Sequence, residues 1–152
     1  MDTLRWLHLS DVHFSDGESY EIKRMRDSII DKMKEVFEKN KVDFVVLSGD
    51  LAYQGGGYDA NLKKFIESLV DVSGVSIDEL FIVPGNHDLK RTQMRSVLLN
   101  GMRTEQFKFE KETIEQLQKD FKKYMTFYNK VKGENSNYIY RLVKKEKDNI
   151  FL

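Results

Sequence analysis

Three short clusters of ligand-type residues punctuate the first part of the chain: Asp11-Val12-His13, Gly49-Asp50 and Gly85-Asn86-His87-Asp88. Carboxylates, imidazoles and an amide oxygen are hard to borderline donors. They suit Mn²⁺, Fe, Zn²⁺ or Mg²⁺. On an extended segment residues two apart point to one side, so Asp11 and His13 are expected to face the same ion. Asp50 can offer one oxygen to each of two ions. Gly49 beside it and Gly85 before Asn86 remove side chains that would crowd the approach. Two divalent ions set against the carboxylates of Asp11 and Asp50 leave a positive site, suited above all to a phosphate ester. Two ions about 3.5–4 Å apart can hold the attacking and leaving oxygens of an in-line displacement, and bound water loses a proton near neutral pH.

Each cluster follows a short apolar run, at residues 4–9, 42–47 and 80–83, and each run is strand-like. Between the first two runs, Ile22, Met25, Ile29, Met33 and Val36 recur at helical steps within residues 21–40. Between the second and third, Leu62, Phe65, Ile66 and Leu69 do the same within residues 58–70. Strands alternating with helices imply a parallel sheet with right-handed crossovers. Sites in such sheets lie just past the carboxyl ends of the strands, where the three clusters fall. Beyond them, residues 105–132 read as one long charged helix with Ile114, Leu117, Phe121, Tyr124, Met125 and Tyr128 as its apolar stripe. Turns are expected at 133–137 and 144–149, a strand at 138–143, and the start of a further strand at 150–152.

The motifs Leu7-His8-Leu9-Ser10-Asp11-Val12-His13, Ser48-Gly49-Asp50 and Pro84-Gly85-Asn86-His87-Asp88 stand in this order, with 39 residues from Asp11 to Asp50 and 36 from Asp50 to Asn86. In this the chain resembles the N-terminal half of a calcineurin-like metallophosphoesterase, well over residues 4 to about 90 and loosely thereafter. The resemblance implies an α/β fold, a layered β-sandwich flanked by helices, with two divalent ions and Mn²⁺ foremost among the candidates. It implies that Asp11 and His13 hold the first metal, that Asp50 bridges both and that Asn86 holds the second. His87 would contact the phosphate and protonate the leaving group, and Asp88 would orient His87. The family's later ligands are histidines, and this chain has none after His87. Some branches place an Asp three positions after the bridging one, where this chain has Tyr53. The chain is therefore expected to be truncated: an N-terminal piece of a longer enzyme, an engineered piece, or a degenerate gene product. It would form a single domain over 1–152, with a motif-bearing core at 1–104, a candidate cap helix at 105–132 and the start of further strands at 133–152.

Other features have plainer readings. His8 lies within the first strand and reads as a packed, hydrogen-bonded core histidine. Gly55-Gly56-Gly57 lacks the Lys-Ser or Lys-Thr of a P-loop, which disfavours a metal-free nucleotide-binding domain. Lys plus Arg and Asp plus Glu both total 25, so no global attraction to polyanions is expected. The absence of cysteine excludes a disulfide framework, a thiolate zinc site and a cysteine nucleophile. No apolar run approaches the roughly 18 residues of a membrane span, and no secretory signal is visible, so a cytoplasmic protein is expected. Residues 119–147 nevertheless carry nine basic and three acidic side chains, with four tyrosines and two phenylalanines. A solvated helix face is the bland explanation and a phosphate-contacting surface the sharper one.

The expected function is hydrolysis of a phosphomonoester or phosphodiester by metal-activated hydroxide, with nucleic acid or a nucleotide among the candidate substrates. The alternative is a catalytically incomplete binding module that uses its basic, aromatic C-terminal region. An unfinished sheet is expected to self-associate or to be completed by a missing C-terminal portion.

Overall fold

A computed structural model describes residues 3–15, 17–104, 106, 110–133, 146–147 and 150–151. The first three strands are β1 (Trp6–Leu9), β2 (Phe44–Ser48) and β3 (Leu80–Val83), with helices α1 (Tyr20–Phe37) and α2 (Ala60–Ser73) as the crossovers. Strand order is β1-β2-β3 and both pairings are parallel, with Leu9 opposite Leu47 and Leu47 opposite Ile82. The α/β class and the strand–helix alternation read from the sequence are therefore those of the protein. Side-chain oxygens start both helices: Ser19 accepts from the Ile22 amide of α1, and Asp59 accepts from the Asn61 and Leu62 amides of α2.

The sheet has a wet face and a dry face. Leu7, Leu9, Val45, Leu47, Leu80 and Ile82 share the dry one, where Val45 and Leu47 are fully buried with Leu62, Ile66 and Leu69 of α2. Alternation sends Trp6, His8, Phe44, Val46, Phe81 and Val83 to the other face, and there Trp6 is 56% and Val83 45% exposed. His8 is thus not a core residue. Its ring is exposed on an edge strand and hydrogen-bonds the Ser48 hydroxyl next door at 2.5 Å.

The expected long helix over 105–132 is instead α4 (Lys111–Gln118), a 3₁₀ turn at Lys119–Phe121 and α5 (Lys122–Lys132). A further helix, α3 (Gln93–Arg103), precedes them, capped by Thr92. The break follows from tertiary contacts made by Asp120. Its carbonyl accepts from the Lys90 amide at 3.0 Å, and its carboxylate accepts from the Thr92 hydroxyl at 3.3 Å and lies 3.7 Å from Arg95. Beyond the turn, α5 buries Tyr124 and Phe127 in the core. The expected strand at 138–143 lies outside the described residues. Part of the expected turn at 144–149 is strand: β4 (Glu146–Lys147) pairs antiparallel with β5 (Ile150–Phe151). Among the described residues no helix is long and apolar enough to cross a membrane.

Tyr124 is fully buried and donates its hydroxyl to the Ile82 carbonyl at 3.2 Å, which fixes α5 to β3. Burial, then the neighbouring Tyr128 and Asp88, hold this phenol above its ordinary range. An unfolded tyrosine ionises near pH 10. The stabilisation from keeping Tyr124 neutral is complete below that pH and is lost as pH rises beyond it. Thermal melts from about pH 8 to about pH 11 are expected to show Tyr124→Phe falling less steeply above about pH 10 than the parent chain. Parallel slopes would show that Tyr124 does not limit alkaline stability.

Candidate metal centre

The β1 and β2 ladder continues past both strands. The Asp11 amide donates to the Gly49 carbonyl at 3.2 Å, His13 to Asp50 at 2.9 Å and Phe14 to Leu51 at 2.8 Å. This zipper carries the two loops side by side. Asp11, His13 and Asp50 all turn left-handed within it, with φ of 57°, 47° and 52°. The Asp11–His13 segment is therefore not extended, as its spacing suggested. Each such residue costs about 1–3 kcal/mol, and persists only where its surroundings over-determine it.

The result is convergence. One ligand atom each from Asp11, His13 and Asp50 lies within 4.8 Å of the others. His13 Nε2 is 3.7 Å from an Asp11 oxygen. Two carboxylates and an imidazole at this span fit a small divalent ion, whose ligand bonds of about 2.0–2.2 Å would close the cluster with minor side-chain adjustment. His13 Nδ1 is buried without a hydrogen-bond partner among the described residues.

Two glycines let the β3 loop join them. A Cβ on Gly49 would lie 2.9 Å from the Gly85 Cα, and one on Gly85 would lie 2.2 Å from an Asp50 carboxylate oxygen. Bare backbone on both sides brings the loops into contact. The His87 amide then donates to Asp50 Oδ1 at 2.7 Å. Asn86 sits exposed between Gly85 and His87, at the tip of the loop that touches Asp50.

Asp88 fastens these loops together. It is fully buried. Its Oδ2 accepts from the Leu51 and Gly85 amides at 3.2 and 2.8 Å, and its Oδ1 from the Ala52 amide and the Tyr58 hydroxyl at 2.9 and 2.7 Å. Burial, then the Asp88 charge, hold the Tyr58 hydroxyl above its ordinary range, so it remains a donor. The expectation that Asp88 orients the His87 ring does not match these contacts. Its oxygens are occupied by four other donors, and His87 Nδ1 is buried without a partner. The His87 ring is set by packing instead: it stacks on Tyr53 at 5.3 Å and 16°, and meets His13 edge-on at 5.0 Å.

Two groups escaped the sequence reading. Arg26 of α1 reaches under the first loop and donates to the Val12 and His13 carbonyls at 2.9 and 3.4 Å. It is ion-paired with Glu18, and its guanidinium lies 3.5 Å over the Phe14 ring. Glu18 in turn accepts from the Ser15 amide at 2.8 Å. Both side chains of the pair are buried, at 6% and 4% exposure. No sequence motif announces a pair eight residues apart across a loop and a helix end. The second missed group, Tyr53, is legible only as a departure from the Asp found there in some branches.

The chain belongs to the calcineurin-like phosphoesterase family, whose model matches residues 4–151. It is also similar to the uncharacterized metallophosphoesterase-like protein YydB of Bacillus subtilis (strain 168), at 31% identity over 99 residues. That match covers 65% of this chain and 20% of the relative, so the chain spans about one fifth of that protein's length. The family uses divalent metals in phosphoester hydrolysis, and this chain presents an Asp-His-Asp cluster able to hold such an ion.

Removing the Asp88 carboxylate takes the acceptor from the Leu51, Ala52 and Gly85 amides and leaves the Tyr58 hydroxyl only the Asp88 carbonyl, at 3.2 Å. Asp88→Ala is expected to cost about 3–5 kcal/mol, and Tyr58→Phe about 1–3 kcal/mol, both read from urea denaturation. A loss below about 1 kcal/mol for Asp88→Ala would show that the loops are held by other means.

Proposed function

We propose that this chain supplies the Asp11, His13, Asp50 and Asn86 side of a two-metal centre in a phosphoester hydrolase. The observation that carries the reading is the convergence of Asp11, His13 and Asp50 from two strand ends. Divalent ions held there, Mn²⁺ foremost, would activate water and neutralise charge on the phosphoryl oxygens. Asp50 stands between Asp11 and His13 on one side and the Asn86 loop on the other, which suits it to the bridging position. His87, fixed by Tyr53 and beside Asp50, is the residue suited to hold the phosphate and to protonate the leaving oxygen. Arg26 acts at one remove. By holding the Val12 and His13 carbonyls it keeps the first two ligands in their left-handed turn.

The sheet face that carries Trp6 and Val83 is where a second layer of a β-sandwich would pack, whether from the rest of a longer chain or from a second copy. The competing reading is a binding module, and the lysines of α5 favour it.

Elemental analysis after Mn²⁺ loading separates the two. The hydrolase reading expects stably held metal, lost in Asp50→Ala, and hydrolysis of bis-p-nitrophenyl phosphate or the monoester that depends on Asp50 and His87. Arg26→Met is expected to weaken Mn²⁺ binding about 10- to 100-fold in titration calorimetry. A parent chain that retains no metal would leave the binding module as the better description.

A further inference from the structure

A second feature lies along α5. A groove of about 430 Å³ runs between the 55–57 glycine segment and α5, walled by Lys63, Lys122, Lys123 and Lys130. Asp59 is the lone carboxylate in the lining, and its oxygens are engaged by the Asn61 and Leu62 amides and the Asn61 side chain. Lys63 is paired with Glu67. Among the described residues no acidic partner is in ion-pair contact with Lys122, Lys123 or Lys130. A chain with no net charge thus holds, among its described residues, three lysines without an ion-pair partner beside one groove.

The loop that leaves β2 carries Asp50 at its start and the groove's glycine segment further on, and a backbone hydrogen bond ties that segment to the His87 loop. The Gly55 amide donates to the His87 carbonyl at 2.8 Å, and Gly55, Gly56 and Gly57 line the groove. Gly57 must lack a side chain: at φ 70° its Cβ would lie 2.2 Å from the Phe14 carbonyl oxygen. The same loop begins with Tyr53, which stacks on His87 and is 46% exposed. Lys122 and Lys130 are separated by eight residues of α5, about 12 Å along the axis. One phosphate cannot reach both ends, whereas a chain of phosphates can.

We infer that this groove binds the sugar–phosphate backbone of a nucleic-acid strand whose reacting phosphate lies at the Asp11–His13–Asp50 centre, with the Tyr53 ring as a platform for a base. The inference rests on the phosphoesterase reading for the placement of that phosphate. Cations along a groove beside an exposed aromatic ring are the elements that hold single strands without reading their sequence.

Fluorescence anisotropy of a labelled thymidine oligonucleotide, in EDTA to exclude metal and hydrolysis, tests this. The parent chain is expected to bind at low salt, with an affinity that falls by about 0.7 log units per phosphate contact for each tenfold rise in salt. Lys122→Glu/Lys123→Glu is expected to weaken binding about tenfold or more and to flatten the salt slope, with no change in melting temperature. Tyr53→Leu is expected to weaken binding without altering the slope. No binding at low salt, equal binding by the charge-reversed variant, or competition by inorganic polyphosphate as strong as by the oligonucleotide would each overturn the assignment. Because metal is absent, such a failure leaves the phosphoesterase reading standing. Loss of that reading shows instead as absent metal retention.

Discussion

A carboxylate taken out of water is tolerated only when its lone pairs are met by donors. Asp88 satisfies that condition with the Leu51, Ala52 and Gly85 amides and the Tyr58 hydroxyl. Two of these donors follow β2, one follows β3, and the fourth lies just before α2. Meeting the needs of one buried group therefore brings together the segments that carry Asp50 and His87. The Gly49–Gly85 contact is the steric counterpart, since it removes what would hold the loops apart. The Asp88 network does not touch Asp50, whereas Gly85 packs directly against the Asp50 carboxylate.

The first loop is held from the opposite side. Left-handed backbone at Asp11 and His13 is costly for residues with side chains. The compensation comes from the extended β1–β2 ladder and from Arg26, whose hydrogen bonds to the Val12 and His13 carbonyls bracket the turn. Glu18 neutralises Arg26 and braces the following residue at the Ser15 amide. The Asp11–His13–Asp50 cluster is thus assembled by the protein's own contacts.

Much of this was legible in the residue order. Short apolar runs located all three parallel strands and helical spacing located both crossover helices, because run length and amphipathic spacing are local signals. The motif residues were placed at the strand ends, and the structure brings Asp11, His13 and Asp50 together there. What was not legible depends on contacts distant in sequence. The Asp120 contacts that break the expected long helix, the Arg26–Glu18 pair and the Tyr53–His87 stack leave no periodic trace. His8 was misplaced because a short strand run does not tell which of its faces is covered. The partners of Asp88 are three backbone amides and the Tyr58 hydroxyl, which a motif cannot display.

Trp6 is the chain's one tryptophan, and it stands 56% exposed on the wet face of the sheet, stacked at 6.0 Å on Phe44. Indole emission shifts to the blue when water is removed from around the ring. The chain therefore carries its own optical reporter on the surface where a further layer would dock. The reporter is separated from the ligand cluster by the length of β1, so its colour follows assembly of the sheet rather than occupancy of the metal centre.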